Sequence, residues 1–394
     1  MPRFEAFRAL RFSADAPLAQ VSAPPYDVLS EADLADLAQR HPRNIVHIDV
    51  PRPEDDPLRY VRAARDLEAW SVEGTFVRDP LPSFTLYRMS FRTEDASHRT
   101  TVGVIGALEV VDAGAGGVLP HERTTPKDST DRLDLTRATG ANLSPVWGLS
   151  LTEGLTDLLE APGDLLGGFT DDAGVTHTVE RVDDASRVAA ISAAVGSNSV
   201  LIADGHHRYS ISRTYRDEQR ASHGHGPWDL TLTYVGELVE SQLSIDAIHR
   251  LYRGIDADAL LAVLARSFDC APAGSVQSTF AREVVDRGAL CLVHSDGSGT
   301  WLTPRPEAFV GVRALDGALL EHALADISLD VSYQHGVGRV LELVSSGAAS
   351  AGVLIRPTSI DEIRRTAHEG LLMPPKSTFF TPKLRTGLVI RPLD

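Results

Sequence analysis

The densest chemistry in the chain lies at Asp204-Gly205-His206-His207-Arg208. The apolar run Val200 to Ala203 precedes it and reads as a strand buried on both faces. Asp204-Gly205 reads as a turn, and from His206 the pattern Arg208, Tyr209, Ile211, Ser212, Tyr215 suits a helix to about Arg220. A strand that opens a helix in this way leaves unpaired N–H groups at the helix start, and the helix dipole adds positive potential there. Gly205, His206, His207 and Arg208 would then face a phosphate, and Asp204 a metal or a proton. Asp-Gly is also an ordinary capped turn, but two histidines and an arginine add nothing to capping.

A second cluster runs from Pro120 to Arg132. It holds His121, Glu122, Arg123, Lys127, Asp128, Asp131 and Arg132, stiffened by two prolines. Acids and bases mixed this closely suit both a metal–phosphate pair and a hydroxyl to be deprotonated. The third is the tail, Met373 to Ile390, where Lys376, Lys383 and several hydroxyls sit on a proline-stiffened ribbon. The chain has three lysines, Lys127, Lys376 and Lys383, each directly after a proline, against 35 arginines. Lysines that survive such a bias are expected to be needed for a compact ammonium on a flexible stem. His223-Gly224-His225 would make a zinc site with His206 and His207, but its glycine spacer favours a plain turn. Gly114-Ala115-Gly116-Gly117 does not have phosphate-loop spacing.

The elements that must hold these residues read as α/β, with mixed sheets. Ser30 caps a helix running to about Arg40, Asn44–Val50 alternates like a half-buried strand, and Pro57 to about Trp70 is an amphipathic helix. Phe84–Tyr87 and Val102–Leu108 suit a hairpin, residues 152–183 a connecting region, Asp184–Val195 a helix, and Leu230–Val239 a strand. Beyond Ile255, helices near 257–267, 278–286, 316–325, 336–346 and 359–369 alternate with strands near 289–294 and 351–356. Three units are expected: an N-terminal lobe at 1–150, a core at 151–254 carrying the Asp204 motif, and a C-terminal lobe at 255–394.

Composition narrows the function. The 394 residues carry a net charge of −16 with no basic cluster, which argues against nucleic acid and anionic membrane as partners. Cys270 and Cys291 form no spacing motif and suit a reducing, cytoplasmic setting. No apolar run has the length of a membrane span, and the N-terminus lacks a signal-peptide core.

The chain resembles, nearly end to end, domain-of-unknown-function family 1015. The likeness rests on Ala23-Pro24-Pro25-Tyr26-Asp27-Val28, Asn44-Ile45-Val46-His47, Pro120-His121-Glu122 with Pro126-Lys127 and Asp131-Arg132, Ala203 to Tyr209, and Met373 to Gly387. Locally, Asp204-Gly205-His206-His207-Arg208 looks like the signature of the ParB/sulfiredoxin-like fold in free serine kinases. That second resemblance implies a nucleotide cofactor, ATP or ADP, whose phosphates are held by Gly205 to Arg208, with magnesium held partly by Asp204. It also implies a carboxylate base, for which Glu122 is the first choice and Asp27 and Asp49 follow. Arg132, Lys127, and Lys376 or Lys383 would neutralise phosphate charge. The reading is a phosphotransferase acting on the hydroxyl of a small metabolite, serine first. The alternative is a ParB-like nucleotide-binding switch without catalysis; a zinc hydrolase is a distant third. The oligomeric state is open.

Overall fold

The computed structural model describes the chain except residues 94–96, 113, 121–128 and 375, and except the side chains of 129 and 130. Two sheets organise it. The larger runs Val118–Pro120, Val200–Asp204, Val146–Ser150, Leu230–Glu237, His98–Glu109, Phe84–Arg92, Thr176–Val182, Asp164–Thr170, with Phe4–Glu5 added along His98–Glu109. Strand Val200–Asp204 pairs in parallel with Val118–Pro120 and antiparallel with Val146–Ser150. Its side chains alternate between two cores: Leu201 and Ala203 enter one, Val200 and Ile202 the other. Both faces are covered, so the continuous apolar run predicted from the sequence is what this position requires.

Helices Glu31–Arg40, Val46–Asp49 and Arg59–Val72 pack around their own core of Leu37, Ile45, Ile48, Leu67 and Trp70 beside the large sheet. The C-terminal sheet is antiparallel, in the order Phe268–Ser275, Ser298–Pro304, Leu290–Val293, Ala351–Leu354, Ile248–Arg253, Asp330–His335. The fold is mixed α/β. Among the described residues no helix is long and apolar enough to cross a membrane.

Two stretches differ from the sequence reading. Asn44–Val50 is not a strand: Asn44 Oδ1 accepts from Val46 N–H at 3.0 Å, its Nδ2 donates to the Gln20 carbonyl at 2.6 Å, and the short helix Val46–Asp49 follows. An Asn side chain that satisfies the backbone two residues on favours a turn over a ladder. Residues 152–183 are not a plain connection: they hold helix Leu155–Glu160 and the hairpin Asp164–Thr170/Thr176–Val182 at the sheet edge. Asp164–Thr170 is mostly exposed, so it lacks the apolar alternation by which a strand is recognised.

Candidate functional site

Strand Val200–Asp204 ends at Asp204, and Gly205 turns the chain with φ 81° into helix His206–His223. The positive φ favours glycine, and a Cβ at Gly205 would crowd Cζ and Nε of Arg208 at 3.0 Å. The 18-residue helix has no side-chain cap and no acid in its first turn. Its positive end is therefore left for an outside acceptor. Tyr209 fixes the helix start to the sheet: its hydroxyl donates to the Glu109 carbonyl at 3.0 Å and accepts from Val111 N–H at 2.9 Å.

Asp204 is clamped between two cations. Lys383 Nζ donates to its Oδ1 at 3.2 Å, and Arg208 Nη2 donates to its Oδ2 at 2.8 Å. Burial alone would raise the Asp204 pKa; the charges of Lys383 and Arg208, the Lys383 hydrogen bond and His206 outweigh it and hold the carboxyl well below the usual range. Burial likewise works against the Arg208 charge, and Asp27, Asp204, Tyr26 and Asp49 more than offset it. Arg208 also donates to the Pro145 carbonyl and lies 3.5 Å from Asp27. Lys383 reaches the site because tail strand Phe379–Thr381 pairs with Ser244–Asp246, and Thr386 bridges to Ala23.

A second charged group adjoins the first. Arg132 lies over the Tyr26 ring at 4.3 Å, donates to Asp49 at 3.3 Å and to Asp131 at 2.9 Å. Arg59 donates to the same Asp131 at 2.6 Å, and Tyr60 donates to it as well. Arg132, Arg208, Tyr26, Asp49 and Ser144 line one cavity. Burial raises the Asp49 pKa against the opposing pull of Arg132 and Arg208. Burial likewise pushes the Tyr26 hydroxyl up to about 12, so it remains a donor at neutral pH.

The structure thus gathers Asp204, Gly205, His206, Arg208 and Lys383 at one strand end. Arg132 shares a cavity with Arg208, and Asp27 and Asp49 flank the two guanidiniums. His207 follows His206 in the first helical turn. Lys376 is exposed on the tail with φ 60°. Glu122 and Lys127 lie outside the described residues. His223 and His225 sit at the far end of the helix, roughly 25 Å from His206 at 1.5 Å per residue, and His225 pairs with Asp229 at 2.8 Å. The zinc grouping with His206 and His207 is therefore excluded by geometry.

A helix start without its own cap, a Cβ-free turn and nearby cations fit the phosphates of a nucleotide. Magnesium at Asp204 fits less directly, because both carboxylate oxygens already accept from cations. Among the described residues no group of three or more His, Cys, Asp or Glu is arranged to hold a metal. Sequence reasoning did not single out Arg59, Tyr60 or His335. Arg59 and Tyr60 carry no local signal, since they belong to an ordinary amphipathic helix until Asp131 is brought to them.

Fold and site together define a mixed α/β protein with a strand–turn–helix whose helix start has no side-chain cap. The chain belongs to the family described as protein of unknown function (DUF1015), whose profile matches residues 4–331. A free serine kinase in complex with AMP is similar in structure, at TM-score 0.37 and 13% identity, covering 69% of this chain and 89% of that one. A variant of a free serine kinase in complex with ADP gives TM-score 0.38 and 12% identity over the same shares. SbnI with C-terminal truncation from Staphylococcus aureus gives TM-score 0.40 and 12% identity, covering 73% of this chain and 87% of that one. No curated protein matches the sequence. Likeness at this level leaves the functional argument to the residues.

Proposed function

We propose that the chain transfers a phosphoryl group from a nucleotide, ATP or ADP, to the hydroxyl of a small metabolite, with serine the leading acceptor. The observation that supports this most is the uncapped start of helix His206–His223 beside the Asp204–Lys383 pair. Phosphoryl transfer asks a protein chiefly for positioning and charge neutralisation. The first-turn N–H groups with Gly205, His206, His207 and Arg208 would cradle the phosphates. Lys383, with Lys127, Lys376 and Arg132 as further cations, would balance charge on the moving group. Magnesium would accompany the nucleotide as counter-ion to its phosphates.

Glu122 is assigned the base from its place in the sequence cluster, with Asp27 and Asp49 as the described carboxylates bordering Arg208 and Arg132. The base takes the hydroxyl proton, the oxygen bonds to the terminal phosphorus, and the bond from that phosphorus to the bridging oxygen breaks. The shortened nucleotide leaves with the electron pair. Phosphorus NMR of the protein with magnesium, ATP or ADP, and a pool of hydroxy-metabolites including serine is expected to show a new phosphomonoester. The signal should vanish in Asp204→Ala and weaken strongly in Glu122→Gln. A spectrum without that peak would end the kinase reading. The switch reading draws on the full engagement of Asp204 by two cations, which is a binding arrangement needing no base. Nucleotide-dependent thermal stabilisation without turnover would favour it.

A further inference from the structure

Lys383 is not held by Asp204 alone. Its Nζ lies 4.3 Å from the centroid of the Phe379 ring, and the imidazole of His335 stacks on that same ring at 4.3 Å between centroids and 15° between planes. His335 comes from the last position of strand Asp330–His335 in the C-terminal sheet. The backbone register explains the meeting. Strand Ser244–Asp246 pairs with the tail, placing Asp246 opposite Phe379. Two residues on, Ile248 pairs with His335. One run of chain therefore holds the tail with its first half and the C-terminal sheet with its second. At the joint the tail's aromatic ring meets the sheet's histidine.

We infer that His335 is a positioning residue for Lys383, acting through the Phe379 ring, so that the C-terminal sheet sets where the ammonium stands against Asp204. The inference rests on the reading of Lys383 as part of the phosphate-binding set. A cation above an aromatic face is attracted by the ring quadrupole, but only where the ring is fixed. Phe379 is half-buried, on a three-residue strand paired to another of three. A stacked partner restricts such a ring. Burial first, and then the charge of Lys383, lower the His335 pKa against the pull of Asp246. The stacked imidazole is thus neutral at neutral pH and brings no second positive charge toward Lys383. The tail turn would otherwise leave Lys383 many rotamers, since its stem has four rotatable bonds.

The three lysines make this directly measurable. Lys383 is 15% exposed in its ion pair, whereas Lys376 is exposed and serves as internal reference. Competitive acetylation with an N-hydroxysuccinimide ester, read by peptide mass spectrometry on the full-length protein, gives a rate for each. His335→Ala is expected to raise the Lys383 rate about two- to five-fold, the range a cation–π contact is worth, with Lys376 unchanged. His335→Phe, which keeps the stack, should return it to the wild-type value. An unchanged Lys383 rate in His335→Ala would overturn the inference. So would a rise shared by Lys376, or one that His335→Phe fails to reverse, because either means general loosening. The readout needs no turnover, so failure of the kinase reading would leave it standing or falling by itself. Where turnover is found, kcat should drop in His335→Ala and recover in His335→Phe, with the nucleotide KM little altered.

Discussion

Asp204 is largely withdrawn from water and still ionised, because Lys383 and Arg208 each give one of its oxygens a charged donor. Its folded pKa lies below the ordinary carboxyl value. The stability it contributes is therefore complete above about pH 5 and is lost progressively as pH falls from the unfolded value of about 4 through the folded one. An acid limb in activity between pH 5 and 7 must then belong to another group, and an NMR titration of the Asp204 carboxyl tests this by showing it ionised throughout that range. Lys383→Met should lower turnover about 10²-fold, the scale of losing one fixed donor at developing charge. Lys383→Arg should not restore it, since a planar fork does not replace a compact ammonium; wild-type kcat in that variant would refute the need for lysine. Gly205→Ala meets both an unfavourable φ and the Arg208 guanidinium. A loss of about 1–2 kcal/mol is expected in urea unfolding, together with weakened nucleotide binding.

At the scale of the element, strand Ile248–Arg253 carries a buried imidazole. His249 is 2% exposed and its Nδ1 accepts from Ile355 N–H at 3.2 Å, which requires the neutral form. Burial first, then Arg250 and His335, lower its pKa to about 3. The unfolded chain binds a proton that the folded chain refuses between about pH 6.5 and that value. Stability is full above this window and falls as pH drops into it. Between pH 7.5 and 5.0 a loss of about 2 kcal/mol is expected from this group, read by urea unfolding, and His249→Asn should flatten it. Helix Glu31–Arg40 was legible because its start is local: Ser30 and Asp33 form a reciprocal cap. Strand Phe268–Ser275 was not, because Cys270, Pro272 and Gly274 give no apolar alternation and its pairing is a backbone matter.

At the scale of the whole molecule, the tail returns to the N-terminal part of the chain. Ile390 bridges to Leu10, Arg391–Pro392 pairs with Ala141–Asn142, and Arg78 pairs with Asp394 at 2.6 Å. Next to Lys383, Arg385 joins a buried relay. Its N–H donates to Tyr87 Oη at 3.3 Å, that hydroxyl meets His177 Nδ1 at 2.7 Å, and His177 Nε2 meets Asp171 at 3.0 Å. Tyr87→Phe leaves the His177 nitrogen and the Arg385 amide without this partner. The expected cost is about 1–3 kcal/mol, measurable by thermal or urea unfolding; an unchanged midpoint would show that water replaces the hydroxyl.

The sequence by itself determined the strand–turn–helix at Asp204, the arginine bias that marked the lysines, and the C-terminal helices. Each is a local matter: an apolar run, a glycine at the turn and a periodicity of 3.6 are written in neighbouring residues. Only the tertiary structure decided that Lys383 rather than the exposed Lys376 meets Asp204, that Asp27 and Asp49 flank the guanidiniums, and that His335 stands behind Phe379. Those meetings depend on strand register between segments far apart in the chain. Register is set by the pairing of whole strands, which no single residue or short motif encodes.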